Sequence, residues 1–290
     1  MGATIRTFAM FAVLSALFIL IGWLVGSYFV GDWVLGTLIF LGISIGINVF
    51  SYFMSDKIVL WSYRAKIVQP NDAPRLYRAI QSVCQQANMP LPKMAIIETA
   101  TPNAFATGRN QKNAVVAATT GLLDILSDDE LEGVLAHEMA HVKNKDILVM
   151  TIAATIVGAI SFASRMLFWS NMSGRGRRDG DTWLLIIVMI TVPIAALLIR
   201  MAISRSREYK ADEQGSIFIQ RPRSLANALA KLEQGNKRRP LDRGNPASAS
   251  LFIVNPFKGE GMLSIFSTHP PVKARIKKLE ELAVEKGYTG

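Results

Sequence analysis

Two apolar stretches of the chain, 8–30 and 33–54, are separated only by Gly31-Asp32. Each is long enough to cross the roughly 30 Å hydrocarbon layer of a bilayer as a helix. A helix satisfies its own backbone groups where no water can. With so short a connection, the pair must fold back as a tight hairpin. Two further apolar stretches, 147–169 and 183–203, have similar lengths, and Trp33, Trp169 and Trp183 stand at segment ends, where amphipathic rings favour the membrane interface. Hydrophobic residues form 50% of the chain and the mean hydropathy is +0.28. The sequence therefore predicts an integral membrane protein with four transmembrane helices. The first stretch is too long for a secretory signal and has no A-x-A-like site after it, so it reads as a retained anchor.

Charge sets the expected orientation. The net charge is +10, with ten Lys and Arg in 55–146, sixteen in 204–290 and none in the Gly31-Asp32 turn. The positive-inside rule places both polar regions, and the N-terminus, in the cytoplasm. Arg175, Arg177 and Arg178 oppose this, but they lie in a short Gly-rich loop. An even number of spans between the two large regions outweighs them. Arg165 and Arg200 are expected to snorkel or to face a polar interior. No zinc-finger, RRM or KH pattern accompanies the basic charge, so no nucleic-acid partner is expected. A single Cys84 excludes an intrachain disulfide framework.

The expected organisation is a transmembrane hairpin (1–54), the first part of a cytosolic domain (55–146), a second transmembrane pair (147–203) and the second part of that domain (204–290). The fold class is α+β, mainly α. In the first cytosolic part, Pro74 opens a helix with Leu76, Ile80, Val83 and Ala87 on one stripe. Short strands are expected over 94–98, 103–107 and 114–119. Ser127 and Glu130 form an S-x-x-E capping box at the start of the next helix. That helix is expected to continue through 142–146 directly into the third apolar stretch.

It carries His137-Glu138-Met139-Ala140-His141. Two His four positions apart project from one helical face and can grip one zinc ion, while the intervening Glu is placed to act on a water there. The chain has only three His, so the pattern is informative. Zinc takes a third protein ligand and keeps one position open. The metzincin arrangement is excluded, because its third His would fall on Ile147 and its Gly on Asn144. The remaining candidate is Glu208-Tyr209-Lys210-Ala211-Asp212, whose acids share a helical face. One can bind metal while the other orients a ligand His.

Together these features resemble the HtpX-type membrane zinc endopeptidases, gluzincins related to the CAAX prenyl proteases. The resemblance rests on the two N-terminal spans, the stretch from Asn103 to Gly108, the H-E-x-x-H helix, E-x-x-x-D at Glu208 and Asp212, and His269-Pro270-Pro271 before a final amphipathic helix. It implies a cytosolic gluzincin-like protease domain with one Zn2+ per chain, held by His137, His141 and Glu208. Glu138 would be the general base, and Asp212 would orient a ligand His, expected to be His137. Asn103, Ala104 and Phe105 would belong to an edge strand that pairs with substrate, and His269 would stabilise the oxyanion.

The resemblance further implies endoproteolysis of misfolded or damaged membrane proteins, as stress-response quality control, at the cytoplasmic face of a multi-pass bacterial inner-membrane protein. Polypeptides and the lipid bilayer are then the partners; oligomeric state is not readable. The alternative from another class is a zinc-binding scaffold or chaperone without proteolysis, against which an intact Glu138 speaks. Two other features have structural readings. Lys237-Arg238-Arg239 faces the cytoplasm, anionic lipid or the active site, and Gly42-x-x-x-Gly46 permits close helix packing within the chain or in a dimer.

Overall fold

A computed structural model describes residues 3–156, 205–241, 251–256 and 270–288. Most of the third apolar stretch, all of the fourth, and His269 lie outside the described residues.

The chain starts with α1 (Ala3–Val25), a π-helical turn (Gly26–Val30) and α2 (Trp33–Ser62). Gly31, at φ +78°, makes the turn, and Asp32 caps α2 by accepting from Val34 and Leu35 N–H at 2.9 and 3.0 Å. The two helices touch backbone to backbone. A Cβ on Gly36 would lie 2.5 Å from Gly22 O and from Gly26 Cα. Gly42 and Gly46, by contrast, have no neighbour within 4 Å, so the close hairpin packing is made at Gly36 and not at the Gly42-x-x-x-Gly46 pair. Ser44 and Asn48 reach Ser15 Oγ at 2.9 and 3.0 Å, a polar tie between two otherwise apolar helices. The outer faces display Phe8, Trp33, Leu38, Ile45 and Phe50, each more than half exposed, which suits lipid and not water. Among the described residues two helices are thus long and apolar enough to span a membrane by length and composition, and α2 runs eight residues past the expected end of its span.

Beyond α2 come β1 (Lys66–Val68), α3 (Pro74–Ala87), β2 (Lys93–Ile97), β3 (Ala104–Gly108), β4 (Ala114–Thr119), α4 (Thr120–Ile125) and α5 (Asp128–Lys143). A shorter apolar helix, α6, follows over Asp146–Ile156. The later elements are α7 (Arg205–Ile219), α8 (Pro222–Arg238) and α9 (Val272–Lys286). The sheet order is β1-β2-β4-β3, with β2 and β4 parallel and the outer pairings antiparallel, so β3 forms an edge. The expected strands appear with shifts of at most one residue, and β1 is additional.

All six residues of β4 are buried, because both faces of the sheet are covered. On one face Met94, Ala104, Ala106, Val116 and Ala118 join α3, α5, α8 and α9 in the main core. On the other, Ala95, Ile97, Phe105 and Val115 meet Val59 and Tyr63 at the end of α2 and Met150 and Ala154 of α6. The end of α2 and helix α6 are therefore part of the second core, while α1 packs on α6 in a separate cluster through Met10 and Leu14.

Nearly every side chain of α5 from Leu131 to Val142 is buried, as expected of a helix surrounded on all sides. Its capping box forms as read: Ser127 N–H donates to Glu130 Oε2 at 2.8 Å, and Glu130 N–H donates to Ser127 Oγ at 3.3 Å. One expectation is corrected. The helix does not run straight into the third apolar stretch, because Lys145 adopts φ +59° and separates α5 from α6. That break turns Asp146 back toward His141.

Candidate metal centre

Helical spacing places His137 and His141 on one face of α5, their rings 4.8 Å apart and edge to face. Helix α7 crosses there because it carries Gly215 at the crossing. A Cβ at this position would stand 2.8 Å from Ala136 C and O and from His137 N. The approach brings Glu208, in the first turn of α7, to the two imidazoles. Glu208 Oε2 lies 3.9 Å from His137 Nε2 and Oε1 lies 3.4 Å from His141 Nε2. One potential ligand atom from each of the three residues falls within 4.8 Å of the other two, and all three residues are buried.

The ring nitrogens facing away from Glu208 also meet carboxylates. His137 Nδ1 is 2.9 Å from Asp212 Oδ1, one helical turn beyond Glu208, and His141 Nδ1 is 3.4 Å from Asp146 Oδ2. Each acid is itself held. Arg275 of α9, only 1% exposed, donates to both Asp212 oxygens at 2.8 and 2.6 Å, and Arg207 donates to Asp146 at 3.1 Å. Four buried carboxylates, Glu138, Asp146, Glu208 and Asp212, thus face two buried guanidinium groups. With every carboxyl ionised and both imidazoles neutral, the state in which the cluster could hold a cation, the surplus is negative.

Burial pushes His137 down to about 4 and Glu138 up to about 8. Burial would also lower His141, but hydrogen bonds to Asp146 and Glu208 outweigh it and raise that imidazole to about 10. Asp212 resists burial through Arg275 and stays below the usual carboxylate range. Between the two rings and Glu208 the protein therefore favours positive charge. A dication there would displace a proton.

Glu138 Oε2 accepts from Ala106 N–H of β3 at 2.8 Å, which ties the sheet edge to the site. The candidate strand residues are deeply buried. Asn103 Nδ2 donates to Val254 O at 2.6 Å while its Oδ1 accepts from Ala104 N–H, so this side chain holds its own chain. Ile253 N–H donates to Ala104 O at 3.3 Å, and Arg275 donates to Ile253 O at 2.7 Å. Phe105 packs edge-on against Phe252, their centroids 5.2 Å apart. Residues 251–256 thus lie along the outer side of β3 where it approaches Glu138. The sequence reading missed Asp146, Arg207 and Arg275. Arg275 did leave a signal: it shares a helical stripe with Leu279 and Leu282, where a solvated cation does not belong.

Comparison with known proteins bears on this site. The model described as "Peptidase family M48" matches residues 70–283. A "Protease HtpX homolog" of Thermococcus sibiricus is 47% identical over 293 residues, covering 99% of this chain and 98% of that one. One from Pyrococcus furiosus is 47% identical over 289 residues, with 99% and 98% covered, and one from Syntrophobacter fumaroxidans 46% over 288, with 97% and 100% covered. Among solved structures, "Crystal Structure of S. mikatae Ste24p" aligns with a TM-score of 0.49 at 17% identity, over 96% of this chain and 65% of that one. The family match begins before α3, ends within α9, and encloses each acid, imidazole and guanidinium of the buried cluster. The chain belongs to peptidase family M48 and is a membrane metalloendopeptidase.

Proposed function

We propose that this peptidase uses one zinc ion, held by His137, His141 and Glu208, to cut misfolded or damaged membrane proteins beside the cytoplasmic face of the membrane. The observation that carries the reading is the convergence of those three ligand atoms within 4.8 Å, with Glu138 on the same helix. Two imidazoles and a carboxylate are a donor set that catalytic zinc takes. The negative surplus and the carboxylate behind each ring fit a dication whose ligands are oriented from outside. When bound, zinc supplies Lewis acidity, which polarises a carbonyl and brings water toward a neutral pKa.

The chain's own residues do the rest. Glu138 takes a proton from the attacking water and delivers it to the leaving amine, and Ala106 N–H holds its carboxylate against β3. Asp212, itself clamped by Arg275, fixes the His137 ring. A substrate backbone pairs with the outer edge of β3, near Asn103, Ala104 and Phe105. His269, outside the described residues, donates to the oxyanion. Positive-inside charge supports the cytoplasmic orientation of a multi-pass protein in the bacterial inner membrane. The apolar helices packed into the domain's second core favour substrates that are themselves in the bilayer.

The test is cleavage of an unfolded protein by the detergent-purified full chain, stripped with chelator and restored with zinc, beside Glu138→Gln. Zinc-restored cutting by the wild type alone is expected. Equal cutting by Glu138→Gln would remove Glu138 from the mechanism, and silence from a zinc-loaded wild type in detergent and in liposomes would favour a scaffold.

A further inference from the structure

A cavity of about 790 Å3 opens where α2 ends, bounded by Ser62 and Arg64, the end of β2, and the C-terminal end of α8. Four cations line it: Arg64, Lys66, Arg238 and Arg239. Lys66 is matched by Glu98 at 2.7 Å. The three arginines have no ion-pair partner among the described residues, so the cavity has a net positive lining gathered from two distant parts of the chain.

Its height relative to a bilayer follows from α2. Thirty residues at 1.5 Å each make a helix of about 45 Å, which matches a bilayer of about 40–45 Å including its headgroups. Trp33, 57% exposed, and Trp61, 81% exposed, mark the two ends. Exposed indoles at both ends of one helix suit the two interfaces. The cavity begins one residue after Trp61, at headgroup level.

Arg64 adds an independent observation. It adopts φ +52° at the position just past the C-cap of α2, where Arg64 N–H donates to Trp61 O and Ala65 N–H donates to Leu60 O. This hydrogen-bond pattern favours glycine at the left-handed residue. An arginine there holds its side chain at the cavity mouth against backbone preference, a cost that glycine would relieve.

We propose that this cavity binds the phosphate of an anionic lipid headgroup, with Arg64, Arg238 and Arg239 as its donors. The site is separate from the metal cluster, and its occupancy is readable without enzyme activity. Each cation close to an anionic membrane surface contributes about fivefold, so three together contribute on the order of a hundredfold in lipid retention.

The experiment adds phosphatidylglycerol or phosphatidylcholine to the delipidated full chain in detergent and counts retained lipid by native mass spectrometry. Wild type is expected to retain phosphatidylglycerol selectively. Arg64→Gly/Arg238→Gln/Arg239→Gln is expected to lose that selectivity, and Arg64→Gly alone to weaken retention while raising the thermal midpoint. Three results would each overturn the proposal. The first is undiminished retention by the triple variant. The second is an equal loss in Lys273→Gln/Lys277→Gln/Lys286→Gln, which would make the effect one of net charge. The third is displacement of the lipid by millimolar inorganic phosphate, which would make this a site for the free ion.

Discussion

His137 Nδ1 stands 2.9 Å from Asp212 Oδ1, and Arg275 grips the same carboxylate through both of its oxygens. Asp212→Asn keeps the shape and removes the charge. Metal affinity is expected to fall about ten- to a hundredfold, measured by competition with a chromogenic chelator. Arg275 would be left buried without its closest anion, the next being Glu208 at 4.0 Å, so the thermal midpoint should fall as well. Unchanged affinity would mean that His137 is oriented by something else.

Gly215 sets the distance between α5 and α7. Gly215→Ala forces backbone atoms of Ala136 and His137 away from 2.8 Å, with an expected loss of about 1–3 kcal/mol in denaturant titration. Zinc binding should weaken with it, because Glu208 rides on the displaced helix. Ser216→Ala is the matched control. Its buried hydroxyl has no hydrogen-bond partner among the described residues, so a neutral or slightly stabilising effect is expected.

Glu208 and Glu213 lie on one helix, but only Glu208 is buried beside the imidazoles. Glu208→Ala is expected to lose stoichiometric zinc after gel filtration, whereas Glu213→Ala keeps it, as measured by atomic emission. Equal retention would move the third ligand elsewhere.

Glu130 links stability to pH. Burial would raise its pKa, but Lys231 at 2.7 Å and the Ser127 N–H hold the carboxylate below its usual range. A lowered folded-state pKa stabilises the fold fully above the unfolded value of about 4.3 and loses that contribution as pH falls through the folded value. The difference in thermal midpoint between wild type and Glu130→Gln should therefore be large at pH 7 and shrink below about pH 4. A difference independent of pH would assign the effect to the shape of the cap.

Local patterns were legible in the sequence and distant partnerships were not. His137 and His141 are related by one helical turn, as are Glu208 and Asp212, so each pair could be read alone. Ser127 and Glu130 specify a helix start within four residues. Asp146, five residues past His141, instead reads as a polar boundary before an apolar stretch; only the φ +59° break at Lys145 turns it inward. Arg275 reaches a carboxylate 63 positions away, and nothing local encodes that contact. Strand β1 has three residues, too few for a periodic signal, and it forms because β2 is there to pair with it.

The contact between Ile253 and Ala104 leaves β3 without a bare edge two residues before Ala106, which binds Glu138. A polypeptide that pairs there exchanges places with part of the chain itself. Its gain is a difference between two similar sets of hydrogen bonds, and its apparent affinity is scaled by the fraction of time the edge stands uncovered. A folded visitor must also surrender its own strand pairing, whereas an unstructured one surrenders nothing. On the proposed strand pairing, the covering would rank substrates by how little structure they have to lose, before any side chain is read.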